Sequence, residues 1–145
     1  MPKMKAAVLY GINDIRIEEV EMPSIKSDDE VLIRIRAVGI CGSDIHYYRE
    51  GRIGRFVVTK PHILGHECAG EVVEVGKAVK GLKPGDKVAI EPGVGCRRCE
   101  YCHEGRYNLC PDETFMGTPP TNGAFTEYVV WAGDFVYRLP DDVPY

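Results

Sequence analysis

No apolar run in the 145-residue chain approaches the roughly eighteen residues a membrane-spanning helix needs. A basic surplus is missing too: 18 Lys and Arg stand against 22 Asp and Glu, giving a net charge of −4 and a pI near 5.6. That balance leaves no electrostatic footprint for nucleic acid or an anionic membrane, so neither is expected as a partner. No internal repeat or low-complexity stretch interrupts the sequence. The amino terminus, Met1-Pro2-Lys3-Met4-Lys5, has no apolar secretory core, and a reducing, cytoplasmic setting is expected. A dinucleotide-binding fingerprint is also lacking. Gly93-Val94-Gly95 starts like Gly-x-Gly-x-x-Gly, but position 98 is arginine and cysteines follow at once. The length fits one domain able to bury a core of its own.

Cysteine, by contrast, is plentiful. Of the six, Cys96, Cys99, Cys102 and Cys110 fall within fifteen residues. Four soft thiolates at short spacing suit tetrahedral zinc in a closed structural site, because the short spacers add little loop-closure cost. Two disulfides or an iron–sulfur cluster would use the same four residues. A reducing setting disfavours the first, and zinc is the expected occupant. With no ligand position left open, the site reads as structural.

Strand signals dominate the rest. Short strands are expected over residues 5–10, 15–20, 31–38, 71–75, 87–90, 124–131 and 135–139, with turns at 11–14 and 83–86. In the third, Ile33, Ile35 and Ala37 alternate with Arg34 and Arg36, the period of a half-buried strand. Ser43 is the expected cap of a short helix carrying Asp44, Ile45, His46, Tyr47 and Tyr48, stopped by Gly51. Some seven short strands with turns between them predict a mainly β fold, a compact or partly open barrel.

A second constellation lies outside the cysteine cluster. Cys41 closes an apolar strand, and Gly65-His66-Glu67-Cys68-Ala69-Gly70 begins another. A thiolate, an imidazole and a carboxylate are the mixed ligands of a catalytic zinc that keeps one position for water or substrate. Taken singly, a buried cysteine is as well explained as a small hydrophobe, and a lone histidine as a satisfied polar residue.

The glycines add a pattern. Gly65-His66-Glu67-x2-Gly70-x5-Gly76-x2-Val79 closely resembles the signature of zinc-dependent medium-chain alcohol dehydrogenases, and residues 39–46 are similar to the family's first ligand loop. The four-cysteine lobe falls where that family carries a structural zinc. Over essentially its whole length the chain thus resembles the family's amino-terminal, GroES-like catalytic domain, a partly open β-barrel with short helices. The resemblance implies Cys41 and His66 as ligands of a catalytic zinc, with Glu67 a third ligand or a carboxylate behind them. It implies Ser43 and His46 as a proton relay, although His46 also reads as a surface histidine on a short helix. Cys68 matches no ligand position and reads as a buried small residue.

Finer features look like the polyol branch, the sorbitol and xylitol dehydrogenases. These are residues 41–48, 51–54, 89–93 and 105–109, with Phe115 and Thr118-Pro119-Pro120. Tyr47, Phe115 and Thr118 would line the substrate pocket, though Tyr47 and Phe115 could equally be packing residues. The implied chemistry is oxidation of a secondary alcohol or polyol to a ketone, with zinc as Lewis acid and NAD or NADP as hydride acceptor. The expected organisation is a catalytic domain over 1–145, with a zinc lobe at about 93–112 and two zinc ions per chain. The nucleotide-binding domain would lie outside this chain, and the full-length enzyme would be a dimer or tetramer. A threonine or simple alcohol dehydrogenase is the alternative within the family, and a non-catalytic zinc-stabilised binding module the alternative outside it.

Overall fold

The computed structural model describes residues 2–145. The chain opens with a hairpin, β1 (Lys3–Gly11) against β2 (Asp14–Glu21), turned at Asn13 in the left-handed region at φ 59°. Asparagine tolerates that conformation better than most residues. β3 (Glu30–Gly39) leads into α1 (Gly42–Glu50), which is followed by the small hairpin of β4 (Arg52–Ile53) and β5 (Phe56–Val57). β6 (His62–Ile63), β7 (Glu67–Val75) and β8 (Lys87–Ile90) follow in order. The lobe comes next, with β9 (Gly93–Val94), the single turn α2 (Glu100–His103) and β10 (Thr114–Phe115). β11 (Tyr128–Ala132) and β12 (Val136–Arg138) complete the set.

Two larger sheets organise these elements: β2-β1-β6, and the five-stranded β11-β3-β7-β8-β12. Every strand pair among the described residues is antiparallel. The sheets do not close on each other, so the fold is a mainly β, partly open barrel with short helices, as expected. Its main core lies on the five-stranded sheet, around Val31, Ile33, Val72, Val88 and Trp131. Trp131 satisfies its indole N–H on the Glu91 carbonyl at 2.8 Å, as a buried tryptophan requires.

Three sequence expectations shift. The helix is capped by Cys41, not Ser43, because the Asp44 side chain reaches back to accept the Cys41 backbone N–H at 2.9 Å. Gly51 does stop it, at φ 70°. The strand expected from residue 71 begins at Glu67, where it pairs with Gly39 of β3. The strand expected from residue 124 begins at Tyr128. Residues 124–127 instead cross between the sheets: the Ala7 N–H donates to the Phe125 carbonyl, and the Ile35 N–H to that of Glu127. Such a crossing satisfies backbone groups on both sides without joining either ladder.

Candidate metal centres

Two groups of side chains converge. In the lobe, the sulfur atoms of Cys96, Cys99, Cys102 and Cys110 all lie within 4.8 Å of one another. Cys99 caps α2, Cys102 lies within that helix, and Cys110 ends a short 3-10 turn. Arg97, at φ 64°, makes the tight reversal between the first two cysteines. Its guanidinium then anchors the lobe to the barrel through Asp29 at 3.2 Å and Asp134 at 2.6 Å. Gly95 is bare for a visible reason: a methyl there would come within 2.7 Å of Cys102 Sγ and 2.9 Å of Tyr107 Cβ.

The thiols are electrostatically unequal. The Arg98 backbone N–H holds Cys96 down at about 6, while withdrawal from water pushes Cys102 up to about 12. The Cys96 N–H in turn points at Cys110 Sγ, 3.3 Å away. Four thiolates so close repel one another unless a cation sits among them, and backbone N–H donors to sulfur favour the ionised form. The donor set, the bare glycine and these N–H groups fit a closed tetrahedral metal site.

The second group brings the ligand atoms of Cys41, His66 and Glu67 within 4.8 Å of one another. Its position follows from β-sheet register. The last pair of the β3–β7 ladder is Gly39 with Glu67, so Cys41 and His66 emerge from neighbouring strand ends. A methyl on Gly39 would strike Glu67 Oε2 at 2.7 Å, so the carboxylate lies across a backbone that carries no side chain. Gly65, at φ 95°, turns the chain just before His66. It is held by residues 123–125, where the Ala124 N–H donates to the Gly65 carbonyl at 2.8 Å and the Phe125 N–H to that of Leu64 at 2.9 Å.

Asp44 is the residue that sequence reasoning left without a role. It is only 4% exposed. One carboxylate oxygen accepts the Cys41 N–H at 2.9 Å; the other accepts the Gly65 N–H at 3.2 Å and lies 3.8 Å from His66 Nδ1. A single buried carboxylate therefore brackets both ligand-bearing segments. Its only sequence signal is an acidic residue in the first turn of a helix that starts on a cysteine.

His66 also belongs to the wall of a cavity of about 510 Å³, together with Ser43, Tyr47, Glu113, Phe115 and Thr118. Phe115 packs against the imidazole, with ring centroids 5.5 Å apart. Burial pushes the Tyr47 phenol up, with the Thr118 hydroxyl beside it acting the other way. Ser43, Tyr47, Phe115 and Thr118 are thus brought together. His46 is not among the lining residues: it is exposed on the outer face of α1, with Nε2 3.2 Å from Glu50 Oε2. Cys68 is buried, 3.8 Å from the Met116 sulfur, in neither cluster.

Comparison with known proteins is consistent with this geometry. The model of the alcohol dehydrogenase GroES-like domain matches residues 27–141. The chain is 58% identical over 142 residues to the sorbitol dehydrogenase of Bacillus subtilis, covering 98% of this chain and 40% of that protein. It is 48% identical over 136 residues to D-xylulose reductase A of Aspergillus oryzae, covering 94% and 38%. Among solved structures, an Escherichia coli alcohol dehydrogenase complexed with cofactor NADH superposes with a TM-score of 0.86 at 32% identity, over 98% of this chain and 40% of that one. The chain therefore spans about two fifths of the length of the relatives it matches.

Proposed function

The chain belongs to the alcohol dehydrogenase GroES-like domain family, and from that premise we propose that it is the catalytic part of a zinc-dependent polyol dehydrogenase. The reaction is reversible oxidation of a secondary hydroxyl, of the sorbitol or xylitol kind, to a ketone with NAD or NADP. One observation carries this reading: His66 belongs at once to a three-donor metal set and to the wall of a 510 Å³ cavity. A structural module has no use for a mixed, open ligand set facing a pocket.

Cys41 and His66 hold the catalytic metal, and Glu67 lies close enough to complete or release that set. The Cys96, Cys99, Cys102 and Cys110 thiolates hold a second, structural one. Zinc held there would supply Lewis acidity to a hydroxyl bound beside His66, and the nicotinamide would supply the redox step. Asp44 keeps the His66 ring aimed, as carboxylates behind histidine ligands do. Tyr47, Phe115 and Thr118 orient the substrate chain and exclude water. The Ser43 hydroxyl, on the cavity wall, relays the proton of the reacting alcohol toward solvent.

In this reading the nucleotide-binding unit lies outside residues 1–145, supported by the relatives being about two and a half times as long as this chain. The full-length enzyme works in the cytoplasm as a homo-oligomer. The test is an NAD(P)-linked assay with a panel of polyols on the full-length protein, alongside metal analysis of this chain. Turnover with polyols, with zinc in both sites and none in a Cys41→Ser, His66→Ala pair of changes at the second, is the expected result. NAD reduction by the isolated chain, or no polyol turnover by the full-length protein, would refute it.

A further inference from the structure

The proposed roles leave one charged residue of the cavity wall unexplained. Glu113 lines the cavity beside Thr114 and Phe115, immediately before the Thr118-Pro119-Pro120 turn. It faces a second carboxylate, Glu91, across Gly93. A methyl on Gly93 would lie 2.6 Å from Glu113 Oε1 and 3.4 Å from Glu91 Oε1, so both carboxylates share the space above this bare backbone.

The two are not equivalent. Glu91 is held by the Gly93 N–H at 3.0 Å and faces the Tyr107 hydroxyl at 3.3 Å. Glu113, only partly buried, has no side-chain hydrogen-bond partner among the described residues. Its acceptor oxygens are therefore available to a ligand. No lysine or arginine is among the described residues lining the cavity. The nearby Arg55 stands over the Phe56 ring, 5.1 Å from its centroid, on the exposed hairpin.

From this arrangement we infer that Glu113 is a specificity-determining residue, accepting a hydrogen bond from a hydroxyl of an uncharged polyol away from the reacting carbon and rejecting polyol phosphates and sugar acids. A hydroxyl proton supplies what the pair at Gly93 lacks. A phosphate or carboxylate would instead bring further negative charge beside two carboxylates in a partly desolvated space. The selection thus uses an attractive contact for one class and a repulsive one for the other. The inference rests on the polyol dehydrogenase reading above and adds to it the charge class of the substrate.

The test uses the full-length protein with nicotinamide cofactor, comparing kcat/KM for xylitol and sorbitol with that for sorbitol 6-phosphate. Glu113→Gln keeps the shape of the side chain and removes the charge; Glu113→Lys reverses it. The wild type is expected to prefer the uncharged polyols. Glu113→Gln should narrow that preference by about tenfold, the scale of one charge contact in such a site, and Glu113→Lys should narrow it further. A purely structural role would change yield or zinc content without moving this ratio. If the three proteins share one preference within about twofold, the inference is overturned. Should the lysine variant lose its zinc, the glutamine variant decides alone. Absence of turnover with every polyol would instead bring down the functional reading itself, and the inference with it.

Discussion

Replacing Asp44 by asparagine tests the bracket between the two ligand-bearing segments. The carboxylate accepts two backbone N–H groups, from Cys41 at 2.9 Å and Gly65 at 3.2 Å. An amide of the same shape keeps one acceptor oxygen and turns an NH2 toward the other N–H. One charge-assisted hydrogen bond is lost, about 1.5–3 kcal/mol, and a buried donor is left facing a donor, about 1–3 kcal/mol more. Removing a buried charge gives back part of its desolvation cost, so the net loss is about 2–3 kcal/mol. At this chain length, where each kcal/mol moves the melting temperature by about 3–4 °C, Tm should fall by roughly 8 °C. Differential scanning calorimetry of wild type and Asp44→Asn at matched zinc content measures this. Zinc affinity at the Cys41–His66 site should fall about 10–100-fold, since the ring loses its orienting partner. A Tm shift under about 2 °C with unchanged zinc affinity would refute the bracket.

Other outcomes follow from the same structure. His62 is buried, with Nε2 3.0 Å from the Gly117 carbonyl, and burial lowers its pKa below the ordinary 6.5. Between that lowered value and 6.5 the unfolded chain binds the extra proton, so stability is full above 6.5 and is lost as pH falls through the window. In urea titrations at pH 7.5 and 5.5, His62→Gln should show a smaller loss on acidification than wild type, and an equal loss would count against this assignment. Gly95→Ala places a methyl 2.7 Å from Cys102 Sγ; elemental analysis should show the lobe's zinc lost or depleted while the second site is retained. Cys68, its thiol pushed up to about 12 by burial, should resist iodoacetamide at pH 8 until the protein unfolds. Cys68→Ala should cost about 1–2 kcal/mol in chemical denaturation without altering zinc content.

Local chemistry made much of this molecule legible in its sequence. The four-cysteine lobe needs only short spacers, and Gly51 ends α1 for a reason visible in its own residue type. The alternation of β3 announces itself from Ile33 to Ala37. What stayed hidden depends on residues distant along the chain. Asp44 looks like an ordinary first-turn acid until Gly65, twenty-one residues later, places its N–H on the carboxylate. Residues 124–127 read as a strand because Phe125 and Thr126 lead straight into the strand-forming run Tyr128-Val129-Val130-Trp131, yet their hydrogen bonds go to two different sheets. Glu113 gave no signal either, since its meaning lies in Glu91 across a glycine. His46 stands in a motif that suggests a relay, but α1 turns it outward to Glu50, a matter of helical phase rather than residue type.

Where β3 meets β7, Ile35 pairs with Gly70 and Ala37 with Ala69, so β3 carries one residue more than its partner at Arg36. β7 carries the converse extra residue at Val73, between the pairs Leu32–Glu74 and Ile33–Val72, so the two irregularities offset one another. Together they decide that the ladder ends on Gly39 opposite Glu67, and hence which side chains stand at the rim. Deleting Arg36 alone would leave the offset at Val73 uncorrected and draw the thiol of Cys41 back by about 3.3 Å, out of step with the imidazole. The metal-binding geometry is thus counted out along two strands, and a matched pair of irregularities keeps the count.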